Sequence, residues 1–280
     1  MTGTADQVTG ASHLEPDYAI RIELEAERKV ATSSPDHFIP WGTRRDNSRN
    51  SRFNSKLYAL MPCNSAGASL YILDLGCSGG GFVRECINDG CIAVGLEGSD
   101  YSRKRRRAEW PVIPTNLFTC DITGEFHLFE VHQSSARELM QFDVVTSWEV
   151  MEHIAETDLA QVAANVRRHL KPQGLWIMSV SSKKEVFEGV ALHQTVRDKP
   201  WWVAQFRDLG FEHLEAYVTY FNTQFVRGPK TDGPLTFHLV LSHSPSSAPP
   251  IPKETYRRRL YDLWLGSRLQ RFLHLMIAAD

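Results

Sequence analysis

Short apolar runs alternate with amphipathic stretches from residue 70 to residue 242, and this alternation constrains the fold more than any other feature. Five apolar runs predict strands, at 71–75, 91–96, 117–120, 142–147 and 175–180. The stretches around them predict helices, at 80–89, 101–110, 158–170 and 201–209. Strands that are separated by helices form a mainly parallel sheet with helices on both faces.

Two further strands are expected near the end of this core, at 216–221 and 235–241. No helix is predicted between them, so we expect this pair to be antiparallel. The predicted fold class is therefore doubly wound α/β, with a mainly parallel seven-stranded sheet and an antiparallel last strand.

The segments outside this core predict helical additions. Residues 1–16 are small and polar and predict a disordered tail, and 17–66 predicts a helical segment that folds over the core as a lid. The core domain is expected to cover 67–243. Residues 244–252 are rich in proline and serine and predict a linker, and 253–280 predicts one or two amphipathic helices.

A glycine-rich loop joins the first strand of the core to its first helix, in Leu73-Asp74-Leu75-Gly76-Cys77-Ser78-Gly79-Gly80-Gly81. Glycines there let the backbone turn sharply and approach a ligand, and open α/β sheets bind ligands at this edge. Asp74 ends the strand, where its carboxylate would repel a dinucleotide pyrophosphate but would suit an ammonium group. The loop therefore argues against the alternative of a nicotinamide-dependent dehydrogenase.

Two more acids follow predicted strand ends. Glu97 ends the second strand, where a carboxylate can accept hydrogen bonds from both hydroxyls of a ribose. Asp121 follows the third strand and could accept a hydrogen bond from an adenine amino group, while Ile122 packs on the ring.

These segments resemble those of class I S-adenosylmethionine-dependent methyltransferases over roughly residues 70 to 242. The D-x-G-x-G-x-G motif of that family becomes Asp74-x-Gly76-x-Ser78-x-Gly80, and residues 142–154 resemble its fourth-strand motif. The resemblance implies S-adenosylmethionine as the cofactor and S-adenosylhomocysteine as the product. It also implies a set of cofactor-binding residues, namely Asp74, Gly76, Cys77, Ser78, Gly80, Glu97, Gly98, Asp121, Ile122 and Trp148.

A cluster after the fourth strand raises the question of a metal ion. Glu149-x-x-Glu152-His153 resembles the metal motif of small-RNA 3′-terminal 2′-O-methyltransferases, and a similar run occurs in ubiquinone-pathway O-methyltransferases. The same acids also suit a helix N-terminus through the helix dipole. We expect activity without a divalent metal; the alternative ligand set is Glu149, Glu152, His153 and His193.

The acceptor is expected to meet loops after the fourth and fifth strands and the segment before the first. Residues 191–211 resemble a stretch in bacterial small-molecule and sugar-modifying methyltransferases. We predict His193 and His153 as the catalytic residues, because an oxygen nucleophile can need a base to remove its proton. Fork-shaped cations suit a phosphate, a carboxylate or hydroxyls, so we predict substrate contacts at Trp41, Arg44, Arg45 and Arg52.

The predicted function is methyl transfer to a polar small molecule, at an oxygen nucleophile of a carbohydrate-like metabolite. One alternative is an RNA 2′-O-methyltransferase with a Glu-Glu-His metal site, and another is a cofactor-binding regulatory protein without activity. The net charge of -2 gives no general attraction to nucleic acid or anionic lipid. The basic run 103–107 would wrap around a helix, so we interpret it as a solvated face.

The cysteines and the distribution of apolar residues indicate the cellular compartment. The five cysteines are odd in number and include no CxxC pair, which favours reduced thiols. The sequence shows no secretory signal and no apolar stretch long enough to span a membrane. We expect a cytoplasmic protein without a membrane partner, and we leave its oligomeric state open.

Overall fold

The structure is a computed structural model that describes residues 21–61, 69–131, 136–253 and 256. The predicted tail at 1–16 lies outside the described residues, as does all of the predicted helical segment 253–280 except Lys253 and Tyr256. Among the helices that the structure describes, none combines the length and the apolar composition that crossing a bilayer requires.

Strands and helices alternate along most of the described chain. The strands are β1 (Arg21–Ala26), β2 (Tyr71–Leu75), β3 (Ile92–Glu97), β4 (Leu117–Thr119), β5 (Phe126–Val131), β6 (Arg137–Leu139), β7 (Phe142–Trp148), β8 (Leu170–Ser181), β9 (Val186–Phe187), β10 (Val190–Ala191), β11 (Glu212–His213) and β12 (Thr236–Ser242). The helices are α1 (Pro35–Phe38), α2 (Trp41–Arg45), α3 (Ser51–Leu60), α4 (Gly81–Asn88), α5 (Tyr101–Lys104), α6 (Leu159–His169), α7 (Lys199–Asp208) and α8 (Glu215–Phe221).

Seven strands form the central sheet in the order β11-β12-β8-β7-β2-β3-β4. The strands β8, β7, β2, β3 and β4 pair in parallel, whereas β12 is antiparallel to both of its neighbours. The sheet confirms the predicted fold class, including the antiparallel last strand. Neighbouring residues of β2 point to opposite faces: Leu73 and Leu75 enter one buried cluster, and Ile72 enters the other.

Helices cover both faces of this sheet. Residues of α6 and α7 pack in the cluster around Leu73, where Trp202 and Phe206 lie fully buried beside Trp176 of β8. Residues of α3, α4 and α8 pack in the cluster around Ile72, where Phe53 is fully buried.

A second, three-stranded sheet contradicts part of the predicted helical lid. Residues 21–26 form β1, which pairs antiparallel with β5, and β5 pairs in turn with β6; we call β1, β5 and β6 the accessory sheet. Ile22, Leu24 and Ala26 alternate with polar residues and pack against the core, so a period of two outweighed the helical composition. Further along the same segment, α1, α2 and α3 are helical as predicted.

Two other local predictions were wrong. Residues 216–221 were expected to be a strand but belong to α8, in which Tyr217, Tyr220 and Phe221 recur at helical spacing on the buried side. The sixth strand of the sheet is instead the short β11. The predicted helix 101–110 ends at Lys104, and the backbone turns to positive φ at Arg106.

Candidate active site

A cavity of ≈ 220 Å³ opens at the carboxyl ends of the central strands. Four of its walls follow strands of the sheet: the glycine loop after β2, the end of β3, the loop after β4 and the loop after β7. The remaining wall comes from residues 27–47, which run from β1 across this edge and which we call the N-terminal strap. The cavity lies where doubly wound α/β proteins bind their ligands.

The glycine loop is shaped by backbone conformations that suit glycine. Gly76 has φ +72°, and a Cβ there would overlap the side chain of Val150. Ser78 has φ 49°, and its hydroxyl donates to the backbone carbonyl of Asp46 at 2.9 Å. The loop is therefore held open towards the cavity and tied to the N-terminal strap.

Glu97 braces this loop from the neighbouring strand. Its Oε2 accepts a hydrogen bond from the backbone N–H of Ser78 at 2.7 Å, and its Oε1 accepts from the N–H of Ser99 at 3.0 Å. The hydroxyl of Thr43 in the strap donates to Oε1 at 3.3 Å. Burial raises the pKa of the Glu97 carboxyl although these hydrogen bonds oppose the increase. Oε2 keeps an acceptor site towards the cavity, which a ribose hydroxyl can use.

Six of the ten predicted cofactor residues line the cavity: Gly76, Ser78, Glu97, Gly98, Asp121 and Ile122. The other four are not among the lining residues. Asp74 is buried, and its Oδ1 accepts from the Thr146 hydroxyl at 2.7 Å; burial raises the pKa of this carboxyl to about 8. Cys77 and Trp148 belong to the buried cluster around Ile72, and Gly80 is the N-cap of α4.

Asp121 is held by residues from two parts of the chain. Its Oδ2 accepts from Nε of Arg28 at 2.8 Å, and its Oδ1 accepts from the hydroxyl of Thr123 at 2.6 Å. Although burial opposes ionisation, these hydrogen bonds hold the pKa of the Asp121 carboxyl below its usual value. The sequence analysis did not identify Arg28, because nothing near it in the chain links it to Asp121.

His153 lines the cavity, and Asp36 of α1 fixes its imidazole. Nδ1 of His153 lies 2.8 Å from Oδ2 of Asp36. Burial alone would lower the pKa of His153, but the hydrogen bond and charge of Asp36 raise it to about 9. Nothing local in the sequence signals this role, because Asp36 follows Ser34-Pro35, where an acid is expected to favour the start of a helix.

His193 packs against His153 from outside the cavity wall. The two rings meet edge to face, with centroids 4.6 Å apart. Nδ1 of His193 lies 2.5 Å from the carbonyl oxygen of Lys183, and Nε2 lies 3.0 Å from Oε2 of Glu185. Burial and the neighbouring His153 lower the pKa of His193. The two histidines that we predicted as catalytic are therefore together, but His153 is the one that lines the cavity.

The buried carboxylate of Glu152 and the half-buried carboxylate of Glu149 complete this side of the site. Oε1 of Glu152 accepts from the N–H of Ser181 at 2.9 Å; Oε2 of Glu152 and Oε1 of Glu149 have no hydrogen-bond partner among the described residues. Burial raises the pKa of both carboxyls, and the charge of Glu152 adds to the increase at Glu149. Ligand atoms of Glu152, His153 and His193 all lie within 4.8 Å of one another. Glu149, the fourth residue of the alternative metal set, is not part of that group of three.

The residues predicted to bind the acceptor lie in two helices of the N-terminal segment. In α2, Trp41 packs on Phe187 with ring centroids 5.0 Å apart, and the guanidinium of Arg45 lies 3.7 Å from the Trp41 ring centroid. Arg44 lies 5.8 Å from the Tyr101 ring centroid, so it faces the other side of α2. Gly42 and Thr43, which lie between Trp41 and Arg44 in the chain, line the cavity. Arg52 is the second residue of α3.

One family model and several solved structures are similar to this chain. Residues 45–223 match the family model of the methyltransferase domain. A search of curated protein sequences gave no match. Solved structures with a similar fold include magnesium protoporphyrin IX methyltransferase from Synechocystis PCC 6803 with bound S-adenosylhomocysteine. It is 14% identical, with 68% of this chain and 82% of that chain covered and a TM-score of 0.42.

Two further structures can be compared in the same way. A TehB-like S-adenosylmethionine-dependent methyltransferase from Corynebacterium glutamicum is 18% identical, with 68% of this chain and 86% of that chain covered and a TM-score of 0.44. The 1,6-didemethyltoxoflavin-N1-methyltransferase from Burkholderia thailandensis is 14% identical, with 74% and 83% covered and a TM-score of 0.46. Because the domain match spans more than half of the chain, this chain belongs to the methyltransferase-domain family and is an S-adenosylmethionine-dependent methyltransferase with a class I, Rossmann-like fold.

Proposed function

We propose that this methyltransferase acts on a hydroxyl oxygen of a polar, carbohydrate-like small molecule. The observation that carries the proposal is the imidazole of His153, which is fixed by Asp36 and lines the same cavity as the glycine loop and Glu97. A base at the cofactor cavity is what an alcohol acceptor needs, because its oxygen must lose a proton as the new bond forms.

The residues of the cavity fit S-adenosylmethionine, which supplies an electrophilic methyl carbon on a sulfonium. In this proposal the buried carboxylate of Glu97 accepts hydrogen bonds from the ribose hydroxyls, and Asp121 with Ile122 holds the adenine. Gly76 and Ser78 bring the backbone close to the methionine part, and the ammonium group of that part would favour the ionised form of the buried Asp74 carboxyl. The protein then mainly aligns the reactants and excludes water.

His153 acts on the acceptor. As the acceptor oxygen takes the methyl carbon and the carbon–sulfur bond breaks, Nε2 of His153 takes the hydroxyl proton. Asp36 accepts the hydrogen bond of Nδ1–H and stabilises the imidazolium that forms. His193, in contact with the ring, keeps it in this orientation. Trp41, Arg44 and Arg45, which flank the cavity-lining residues Gly42 and Thr43 in α2, are proposed to hold acceptor hydroxyls or an anionic group.

The test is a panel of acceptors under one set of conditions. Nucleotide sugars, simple glycosides and RNA oligonucleotides with a free or a blocked 3′-terminal 2′-hydroxyl are incubated with the protein and S-adenosylmethionine, and methylated products are identified by mass. We expect methylation of hydroxylated small molecules. Turnover should fall by about 10²-fold or more in His153→Asn and should be unchanged in the control His127→Asn. His127 lies in the accessory sheet and is chosen because it is not among the residues that line the cavity. Methylation of an amine or a thiol alone would contradict the proposal, and activity on any acceptor would exclude a purely regulatory protein.

A second candidate function has an observation of its own. Nδ1 of His153 is engaged by Asp36, and His193 is engaged by a backbone carbonyl at Nδ1 and by Glu185 at Nε2, while ligand atoms of both rings lie within 4.8 Å of Glu152. Metal-binding histidines are oriented by second partners of this kind. A divalent metal held by Glu152, His153 and His193 would polarise a 2′-hydroxyl for an RNA methyltransferase. In the same panel, methylation restricted to RNA with a free 3′-terminal 2′-hydroxyl, together with metal dependence, would favour this second candidate.

A further inference from the structure

The two carboxylate oxygens of Asp121 differ in the number of hydrogen bonds that they accept. Oδ1 accepts both the N–H of Thr123 at 3.0 Å and its hydroxyl at 2.6 Å. Among the described residues, the one donor to Oδ2 is Nε of Arg28, at 2.8 Å. Each carboxylate oxygen offers about two acceptor sites, so one site on Oδ2 remains for a ligand. Asp121 is 2% exposed and lines the cavity, so this site is directed to a ligand rather than to bulk water.

Arg28 reaches this carboxylate from the N-terminal strap, where its backbone and its guanidinium both bond to the loop after β4. Its carbonyl accepts from the N–H of Asp121 at 3.0 Å, and its Nη2 donates to the Thr123 hydroxyl at 3.0 Å. Three residues later, the N–H of Ala31 donates to the carbonyl of Gly98 at 2.9 Å. The guanidinium, the strap backbone and the loop after β4 therefore form one hydrogen-bonded unit.

We infer that Arg28 is a positioning residue for adenine recognition: it fixes Asp121 so that the remaining acceptor site of Oδ2 meets the 6-amino group. Its planar guanidinium holds Oδ2 and Thr123 together, a geometry that a point charge does not reproduce. This inference rests on the proposed placement of adenine against Asp121. It predicts that Arg28 controls the choice between a purine with an amino donor and one with a carbonyl acceptor.

The experiment compares two ligands, S-adenosylhomocysteine and S-inosylhomocysteine, by calorimetry. The second carries a carbonyl oxygen in place of the 6-amino group, which would face the Asp121 carboxylate as acceptor to acceptor. We expect the wild-type protein to prefer S-adenosylhomocysteine by about tenfold or more. In Arg28→Met we expect weaker binding of S-adenosylhomocysteine and a preference that shrinks at least about threefold, with Arg28→Lys intermediate.

The matched control is Arg137→Met. Arg137 forms an ion pair with Glu25 of β1 at 2.8 Å, so it also anchors the accessory sheet, but its ion pairs are with Glu23 and Glu25 and not with Asp121. We expect this variant to keep the wild-type preference, and thermal unfolding of every variant shows whether it is folded. If Arg28→Met does not fold, Arg28→Lys carries the test.

Four outcomes would overturn the inference. An equal loss for both ligands would make Arg28 a purely structural residue, and tighter binding of S-adenosylhomocysteine in Arg28→Met would mean that Arg28 competes with adenine. An unchanged preference in Asp121→Asn would mean that adenine does not lie against Asp121, and the proposed placement would fail together with the inference. If Asp121→Asn loses the preference while Arg28→Met and Arg28→Lys keep it, only the role of Arg28 is wrong.

Discussion

Replacement of Asp36 by asparagine tests the proposed base directly. Asp36 supplies the hydrogen bond and the strongest charge interaction that raise the pKa of His153 to about 9, against the effect of burial. Glu152 and Glu185 also face the imidazole and raise its pKa, by smaller amounts. Asp36→Asn keeps the shape of the side chain but removes the charge, so we expect the pKa of His153 to fall by about one unit or more.

The sign of the pH dependence follows from that shift. A base whose pKa is about 9 is protonated at neutral pH, so only about 1% of the wild-type protein has the free imidazole at pH 7. Turnover should therefore rise with pH until it levels off near the pKa. In Asp36→Asn this rise should move to lower pH. The plateau rate should fall by about 10²-fold, because the imidazolium loses its charged partner and the neutral ring loses the carboxylate that selects its tautomer.

The measurement does not depend on knowing the acceptor. Titration of histidine resonances by NMR from about pH 6 to about pH 10 gives the pKa of His153, with His153→Asn used to assign its signal. The control is Asp143→Asn, because Asp143 is also ion-paired, with Lys171 at 2.9 Å, but lies at the amino end of β7. A His153 titration that is the same in Asp36→Asn as in the wild-type protein would refute the reasoning.

Three further predictions concern the cofactor wall, the metal and stability. Glu97→Gln should weaken S-adenosylhomocysteine binding about tenfold or more in calorimetry, because its amide group would face the N–H of Ser78 or Ser99 as donor to donor. Chelation of divalent metals should leave turnover unchanged. If chelation abolishes activity and one added metal restores it, His153 is a metal ligand and not the base. Asn165→Ala should lower the free energy of unfolding by about 2–4 kcal/mol in chemical denaturation, because it strands the buried carbonyls of Ile122 and Gly124. A loss below about 0.5 kcal/mol would show that water replaces the amide there.

The sequence predicted the parts of the site that are local in the chain. The glycine loop, Glu97 and Asp121 each follow a strand, and the carboxyl ends of parallel strands meet at one edge, so pattern alone brought them together. Arg28 and Asp36 could not be found in this way. They lie 93 and 117 residues from the side chains that they hold, and only the packing of the strap across the sheet makes them neighbours.

The errors in secondary structure have similar physical causes. Residues 21–26 have helical composition, but their alternation fits a strand once β5 offers an antiparallel partner. Residues 216–221 are rich in aromatic and β-branched types, yet their packing against α3 and the sheet selects a helix. In both segments the tertiary partner, which a single sequence does not display, outweighed the local preference.

The N-terminal strap has a consequence for kinetics. One short piece of chain contacts the cofactor wall through Arg28, Ala31 and Thr43, and it also supplies Asp36 to the base and α2 to the rim. Contacts that order the strap around the cofactor thus also assemble the acceptor site, so the two ligands help each other to bind by the same factor. We predict that the cofactor adds first and the acceptor second, with S-adenosylhomocysteine leaving last, because the strap bonds to the proposed cofactor wall itself. S-adenosylhomocysteine should then inhibit competitively against S-adenosylmethionine but not against the acceptor.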